Sequence, residues 1–285
     1  MRSNAHGPDR WAAVDSDDKA HMALSRIEQL HGTPAEQAAV LRYPDLLQLR
    51  PGQAVLDVGA GAGHVANHLA TRVTTHGTVC ALDLSAALLA HARQRNRSLL
   101  GIQGDAGALP FPARCFDRVF ARWLLLHLTD PLAAVLEMRR VTRPGGRVLV
   151  VETDWDSLCI SPGDTDLVRR IVHANTDRQA NAISGRRLTA LFRRAGFRNP
   201  HVHAFVDSVH TGDPNWVAFL ESRLDVARTA GVDARRLTRW WADVGKAIAN
   251  GEFFACVTRI AVAGNVPEST NRPAGHDDPT TTEPS

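Results

Sequence analysis

A glycine-rich loop and three aspartates are the residues of this chain whose types and spacing could do chemistry. The loop follows an apolar run and reads VLDVGAGAGH from Val55 to His64. Asp57 stands just before its glycines, and Asp83 and Asp105 each follow a later apolar run. Glycine is needed where φ is positive, or where backbone must touch a ligand without a Cβ in between. The loop therefore predicts a site where backbone contacts a nucleotide-type cofactor.

Details of the loop discriminate among such cofactors. A dinucleotide-binding loop needs a third glycine where His64 stands, and a Walker loop needs a Gly-Lys-Ser/Thr sequence that the chain lacks. An acid at Asp57 also suits a cationic ligand better than a pyrophosphate. S-adenosylmethionine carries an ammonium and a sulfonium but no phosphate, so its site tolerates negative charge. The loop therefore favours S-adenosylmethionine.

The two later aspartates extend this interpretation to the nucleoside. Asp83, in LDLS, can accept hydrogen bonds from both ribose hydroxyls. Asp105, in GDAGALPF, can accept one from the adenine amine, and the backbone N–H of Ala106 can reach the ring. Each acid alone could equally be a loop or helix-capping residue. Three acids at the ends of three consecutive predicted strands are harder to explain in that way.

The elements that must position these residues are predicted to form an α/β fold. Short apolar runs alternate with amphipathic segments, which indicates a parallel sheet with helices on both faces. Several of the first five runs are almost wholly apolar, as central parallel strands should be. The predicted strands are Ala54–Val58, Thr78–Leu82, Leu99–Gln103, Arg118–Arg122, Arg147–Glu152, Val202–Val209 and Ala255–Ala263.

Helices are predicted between these strands and beyond them. One follows Leu84, and another starts at Asp130-Pro131, an N-cap before a first-turn proline, and ends at a turn over residues 143–146. Additions to a minimal sheet usually fold over its carboxyl edge, so the extra helices are lid candidates, although they could equally pad the core. The remaining predicted helices are residues 20–48, Leu167–Ala182, Gly185–Ala195, Trp216–Ala230 and Ala234–Asn250, with lid elements at about 20–48, 163–182 and 214–250.

Four motifs occur in order: VLDVGAGAG, ALDLS, GDAGALPFPARCFDRVFARWLLLHLTDP and EMRRVTRPGGRVLVVE. Together they resemble the class I methyltransferases, in the small-molecule branch that includes quinone C-methyltransferases and natural-product O- and N-methyltransferases. The resemblance covers roughly residues 50–200. It implies a Rossmann-like, seven-stranded, mostly parallel sheet of order 3-2-1-4-5-7-6, with the seventh strand antiparallel. It also implies S-adenosylmethionine as cofactor, bound by Asp57, Gly59, Ala60 (through its backbone), Gly61, Asp83, Leu84, Asp105 and Ala106.

Candidate catalytic residues follow the fourth and fifth predicted strands. Methyl transfer is an in-line displacement that relies on alignment and desolvation, but an oxygen nucleophile must also lose a proton. His127 is the first candidate for the base, although a structural histidine in the turn is equally open. Asp154 and Asp156 could orient it, bind substrate or cap a turn. Arg122 could bind the methionine carboxylate or an acidic substrate group, or be a solvated or core-edge arginine.

Aromatic residues indicate an apolar acceptor. Trp123 and Trp155 are predicted to form walls of the substrate pocket. Other aromatic residues concentrate near the last two predicted helices, where they either form the core of that pair or face a flat acceptor. These residues are Trp216, Phe219, Trp240, Trp241, Phe253 and Phe254.

Composition and spacing argue against several classes of site. The net charge is +3 with scattered basic residues, so no nucleic-acid partner is expected. Cys80, Cys115, Cys159 and Cys256 are widely spaced, which supports neither a zinc site nor a disulfide framework. Because Arg122 stands where a metal-assisted mechanism would need a carboxylate, no metal is expected. No apolar run predicts a signal peptide or a membrane span, so a cytoplasmic location is expected.

The leading hypothesis is a methyltransferase of residues 17–265 that methylates an oxygen of a small apolar or aromatic metabolite in natural-product biosynthesis. The alternatives are C- or N-methylation of a quinone-like or amine metabolite, and a non-methylating use of the cofactor. His64 and Asp105 argue against a nicotinamide enzyme. The absence of an Asn-Pro-Pro-Tyr-like signature argues against RNA or protein methylation. Residues 1–16 and 266–285 are expected to be disordered, and the oligomeric state stays open, including a homodimer.

Overall fold

Seven strands form one sheet in the computed structural model, which describes residues 15, 17–74, 76–210 and 212–268. The strand order is β3-β2-β1-β4-β5-β7-β6, and only β7 runs antiparallel to its neighbours. This confirms the fold class implied by the motifs. The strands are β1 Ala54–Val58, β2 Thr78–Asp83, β3 Leu100–Gln103, β4 Phe116–Arg122, β5 Thr142–Ser161, β6 His201–Val209 and β7 Phe254–Asn265.

Helices cover both faces of the sheet and its carboxyl edge. Asp130 caps its helix as predicted, because its carboxylate accepts from the backbone N–H groups of Leu132 and Ala133. The predicted helix over residues 20–48 is divided into three by turns. The helices are α1 Asp17–His31, α2 Pro34–Val40, α3 Tyr43–Leu46, α4 His64–Val73, α5 Ala86–Arg95, α6 Pro131–Val141, α7 Thr165–Thr176, α8 Ser184–Arg194, α9 Pro214–Thr229 and α10 Ala234–Asn250, with a 3₁₀ turn at Leu125–His127.

The main departure from the sequence prediction is the length of β5. It begins at Thr142, which pairs with Phe116, so the turn predicted over residues 143–146 is instead a bulged continuation of the strand. At its other end it runs past Glu152 to Ser161, because β7 pairs with it antiparallel. Asp154 and Asp156 were expected in a loop and lie instead within this long strand. The expected helix to Ala182 also stops early, at Thr176.

Apolar side chains on the two sheet faces form two core clusters, one against α6 and α8 and one against α4 and α5. A third cluster joins α7, α9 and α10 to the far ends of β5 and β7. Trp216, Trp240 and Phe253 are buried in it, so the late helical pair has an aromatic core. Most of the residues predicted to be disordered, 1–16 and 266–285, lie outside the described residues.

Candidate cofactor and acceptor site

The glycine loop leaves β1 in the conformation that its residues predict. Gly59, Gly61 and Gly63 have φ values of 73°, 52° and 75°, a region that favours glycine. A Cβ on Gly63 would lie 2.6 Å from Cβ of Ala92, so this glycine also allows α4 and α5 to pack closely. The N–H groups of Gly59 and Ala60 donate to the carbonyl of Leu82, at 2.8 and 2.9 Å. These two hydrogen bonds attach the start of the loop to the end of β2, at the carboxyl edge of the sheet.

Asp57 and Asp83 come together beside this loop. Asp83 accepts hydrogen bonds from the N–H of Gly61 at 2.8 Å and from that of Ser85 at 3.0 Å. Asp57 is only 2% exposed, and burial, followed by the charge of Asp83, raises its pKa to about 8. Burial also raises the pKa of Asp83. Asp57, which is buried, and Asp83, which is half-buried, repel each other and make a region where a cation is favourable.

The loop after β3 lies next to these carboxylates. The N–H of Gly104 donates to the carbonyl of Asp83 at 3.0 Å. Asp105 is exposed and accepts from the N–H of Gly107 at 2.8 Å, whereas Ala106 is buried. The carbonyl of Leu84 accepts from Gln103 Nε2 at 2.8 Å. The Asp105 carboxylate is therefore exposed in the loop after β3, and its contact with adenine stays a prediction.

The first helix covers the glycine loop. Ile27 Cδ1 lies 3.6 Å from the position that a Cβ on Gly61 would occupy. The ring of His31 stacks on that of His64 at 3.9 Å, and Glu28 pairs with His64 at 3.0 Å and with Arg95 at 2.6 Å. His64, the residue at the third glycine position, thus contacts α1.

Sequence reasoning missed a buried charge cluster beside the loop. Glu36 of α2, 1% exposed, forms ion pairs with Arg122 at the end of β4 and, at 2.7 Å, with Arg259 of β7. Arg259 also contacts Asp207 at 2.5 Å and the hydroxyl of Tyr43 at 2.8 Å. A charged residue inside the apolar strand FACVTRIAVAG was the signal for Arg259, whereas no pattern marked Glu36.

Arg122 faces this cluster rather than open solvent. Its Nη2 donates to His31 Nε2 at 2.5 Å, and its guanidinium lies 3.9 Å from the ring of Trp123. Burial, followed by the charge of Arg259, lowers the pKa of Arg122, and burial followed by Arg122 lowers that of His31. Binding of the methionine carboxylate by Arg122 stays a prediction.

His127 lies half-buried in the 3₁₀ turn after β4. Glu152, which sequence reasoning missed, holds this turn. Its carboxylate accepts from the N–H groups of Leu124 and Leu125 at 2.9 and 2.7 Å, and from Ser184 Oγ at 3.0 Å. Burial raises its pKa to about 7. An acid at the end of the apolar run RVLVVE was the available signal.

Asp154 and Asp156 meet on Arg186 of α8. Asp154 accepts two hydrogen bonds from this guanidinium, at 2.6 and 2.8 Å. Asp156 lies 3.3 Å from Arg186 and 3.7 Å from His173. These ion pairs are thus with α7 and α8, and the action of Asp154 and Asp156 on His127 or on a substrate stays a prediction.

A cleft that is partly open to solvent lies at the carboxyl edge of β4 and β5. Trp123 lies on its wall with a positive φ of 51°, and its Nε1 donates to Thr153 Oγ1 at 2.9 Å. Trp155 stacks on Phe219 with the ring centroids 5.3 Å apart. A second cavity shares these last two side chains. The cleft is lined by Leu30, Thr33, Ala35, Glu36, Trp123, Thr153, Trp155, Asp207, Asn215, Trp216, Phe219, Val257 and Arg259.

The described residues offer neither a metal-binding cluster nor a membrane-spanning helix. They contain no group of three or more His, Cys, Asp or Glu side chains that could hold a metal ion. None of the described helices is both long and apolar enough to cross a membrane.

The chain is similar to several known proteins. Residues 56–150 match the family model of a methyltransferase domain. A 37.1 kDa protein in transposon TN4556 of Streptomyces fradiae is 33% identical over 267 residues, which cover 92% of this chain and 76% of that protein. The ubiquinone/menaquinone biosynthesis C-methyltransferase UbiE of Coxiella burnetii is 39% identical over 111 residues, which cover 37% of this chain and 44% of the relative.

A solved structure shows the same fold. Phosphoethanolamine N-methyltransferase 2 of Haemonchus contortus, in complex with S-adenosylmethionine, matches with a TM-score of 0.57 at 18% identity, over 92% of this chain and 60% of that one. With the sheet order and the glycine loop, these matches define the class. The chain belongs to the class I S-adenosylmethionine-dependent methyltransferases, and S-adenosylmethionine is its cofactor.

The residues present fit this cofactor. The glycine loop offers backbone without side chains, and the carboxyl groups of buried Asp57 and half-buried Asp83 lie beside it. The pKa of about 8 for Asp57 means that its charged form needs a cation nearby, and a sulfonium with an ammonium would supply one. We assign the ribose to Asp83 and the adenine to Asp105 and Ala106 as a proposal.

Proposed function

We propose that the chain methylates a small, flat and largely apolar molecule held in the aromatic cleft at the carboxyl edge of β4 and β5. The observation that carries this proposal is the position of Trp123, Trp155, Trp216 and Phe219 around one cleft. Because β4 is the neighbour of β1, the cleft lies beside the glycine loop. Aromatic walls favour a planar apolar acceptor over a charged polymer.

The protein contributes mainly alignment and exclusion of water. Bound S-adenosylmethionine supplies an electrophilic methyl group on its sulfonium. The hydrogen bond to Thr153 fixes the ring of Trp123, and the Trp155–Phe219 stack closes the side of the cleft. An acceptor held flat between these rings meets the methyl group in a defined orientation, which is the condition for in-line transfer.

An oxygen acceptor is our first hypothesis, with His127 as the base that takes its proton. Glu152 would act as the positioning residue, because its carboxylate holds the turn that carries His127. Carbon is the second candidate, favoured by the 39% identity to a relative named as a quinone C-methyltransferase. The same cleft would hold either acceptor, and the position of the new methyl group in the product decides between them.

The helical additions support a lid role, which we include in the proposal. Leu30, Thr33 and Glu36, from α1 and α2 and the turn between them, line the cleft on one side. Trp216 and Phe219 of α9 line it on another. We also retain a cytoplasmic location and a role in natural-product biosynthesis as part of this proposal.

Acceptor binding can be tested with a matched pair of phenylalanine variants. We expect Phe219→Ala to raise the KM for an accepted hydroxyaromatic or quinol about tenfold or more, because it removes one cleft wall. The KM for S-adenosylmethionine should stay unchanged. Phe254, 42% exposed and absent from the cleft lining, supplies the control variant Phe254→Ala, for which neither KM should change.

A panel of hydroxyaromatic and quinol acceptors should be screened with isotopically labelled S-adenosylmethionine, and the products should be examined by NMR. A methoxy signal supports oxygen transfer, and a ring-methyl signal supports carbon transfer. Labelling of proteins or RNA but of no small molecule would contradict the proposal. So would equal effects of the two phenylalanine variants.

A further inference from the structure

Two cysteines that are far apart in the sequence lie directly opposite each other in the sheet. Cys159 of β5 pairs with Cys256 of the antiparallel strand β7. Their Sγ atoms are 3.0 Å apart, and both are free thiols. Cys159 is exposed and Cys256 is partly exposed, so a small reagent can reach the pair.

We propose that Cys159 and Cys256 are a reversible modification site that closes to a disulfide when the chain meets a low-molecular-weight disulfide such as oxidised glutathione. A disulfide needs an S–S distance of about 2.05 Å, so the two sulfurs must approach by roughly 1 Å. Residues directly opposite on antiparallel strands have Cα atoms about 4.5–5.5 Å apart, within the range that disulfides span. Side-chain rotation therefore suffices, without a change of strand register.

The reaction balances as two thiol–disulfide exchanges. The thiolate of one cysteine, Cys159 being the more exposed, attacks a sulfur of oxidised glutathione and releases one glutathione thiol. The thiolate of Cys256 then attacks the mixed disulfide, forms the protein disulfide and releases the second glutathione thiol. The protein loses two protons and two electrons, and the oxidant gains them. Burial, followed by the hydrogen bond and charge of Cys159, raises the pKa of Cys256 to about 11, so this exchange should be slow at neutral pH.

The bond would join two strands that carry residues of the cleft lining, although neither cysteine lines the cleft itself. Cys159 ends an irregular stretch of β5 that begins at Asp154 and carries Trp155, a lining residue of the cleft. Val257, the residue after Cys256, also lines the cleft. Oxidation would therefore tie together two strands that shape the cleft.

The test counts thiols in the full-length protein before and after incubation with oxidised glutathione. We expect the four cysteine thiols, titrated in denaturant, to fall to two, and a reducing agent to restore them. The intact mass should fall by two hydrogen atoms, and peptide mapping should join the peptides of Cys159 and Cys256. Cys115→Ser is the matched control, because it removes a partly exposed thiol elsewhere and should leave the loss of two thiols intact.

The Cys256→Ser variant tests the second exchange separately. It should keep one glutathione on Cys159, because no neighbouring thiol remains to displace it. Three results with the unmodified sequence would overturn the proposal: four thiols that persist, a stable glutathione adduct, or a disulfide between two chains. All three readouts are independent of methyl transfer, so they do not depend on the proposed acceptor.

Discussion

At the residue scale, cofactor binding should depend most on Asp83. Its carboxylate accepts from Gly61 and Ser85 and still presents oxygen lone pairs at the loop. We expect Asp83→Ala to weaken S-adenosylmethionine binding by about tenfold to a hundredfold, the range for loss of hydrogen bonds to a charged group. Isothermal titration measures this directly.

The control for that variant is Asp225→Ala. Asp225 is an exposed residue of α9 whose carboxylate pairs with Arg228 of the same helix. It should bind the cofactor as the unmodified protein does. An Asp83→Ala protein that is folded by circular dichroism and binds with unchanged affinity would refute the assignment of Asp83 to the cofactor.

Glu152 should make stability depend on pH in the direction opposite to most acids. Its pKa rises from 4.5 in the unfolded chain to about 7 in the fold, so between these values the folded state holds the extra proton. Stability therefore falls as pH rises through this window, by about 3 kcal/mol for this group. In the variant Glu152→Gln the side chain has a similar shape but does not titrate, so this variant should lack the fall in stability that Glu152 causes.

The measurement is urea unfolding of both proteins at pH 4.5, 6 and 8. The free energy of unfolding of the unmodified protein, relative to Glu152→Gln, should decrease along this series. Both proteins contain the other buried acids, such as Asp57. The titration of those acids therefore contributes equally to both free energies of unfolding and cancels in the difference. A constant difference would show that Glu152 keeps an ordinary pKa in the fold.

At the scale of elements, the contact between α2 and the sheet depends on one buried carboxylate. Glu36 pairs with both Arg122 and Arg259, two arginines that are themselves buried. Breaking a buried ion pair costs about 3–5 kcal/mol, because a charge is left without a partner. We expect Glu36→Gln to lower the Tm by roughly 10 °C and to expose the N-terminal helices to limited proteolysis.

Glu28→Gln is the matched control in the neighbouring helix α1. Glu28 also pairs with Arg95 and His64, but it is 43% exposed. Exposed ion pairs contribute about 0–1 kcal/mol, so its Tm should change by only a few degrees. If Glu36→Gln and Glu28→Gln lowered the Tm equally, burial of Glu36 would not be the reason for its contribution to stability.

At the scale of the whole molecule, the cofactor should stabilise the fold by mass action. At a concentration about a hundred times Kd, a ligand that binds only the folded state adds roughly 2.7 kcal/mol. For a chain of this size we expect a Tm increase of about 5–10 °C with S-adenosylmethionine. NAD should cause no such shift, because the loop has His64 in place of the third glycine of a dinucleotide site.

Thermal unfolding by circular dichroism, with each compound at the same concentration, checks this expectation. The Asp83→Ala variant should show a smaller shift at that concentration. An equal shift with NAD would contradict the selectivity that we read from the loop.

The fold class, the cofactor and the positions of most helices and strands could be predicted from the sequence. Its signals are local: apolar runs predict strands, Asp130-Pro131 predicts a helix start, and the glycines predict a loop whose positive φ values the structure confirms. Strands β1 and β6 lie where these patterns place them, to within one residue. Each of these patterns reflects the requirements of a single helix, strand or loop, so each can be recognised in a single sequence.

Contacts between residues far apart in the chain depend on the completed fold and could not be predicted from the sequence. β5 is long because β4 pairs with its first residue and β7 pairs with its far end, and the pairing with β7 places Cys159 opposite Cys256 although the two are far apart in the chain. The pairing of Glu36 with Arg122 and Arg259 likewise joins a helix near the N-terminus to two strands. No periodicity encodes such contacts, because their free energy comes from burial and charge pairing across the completed fold. The acceptor cleft has the same origin, since its lining combines α1 and α2, which precede the cofactor loop in the chain, with aromatic residues that follow the loop.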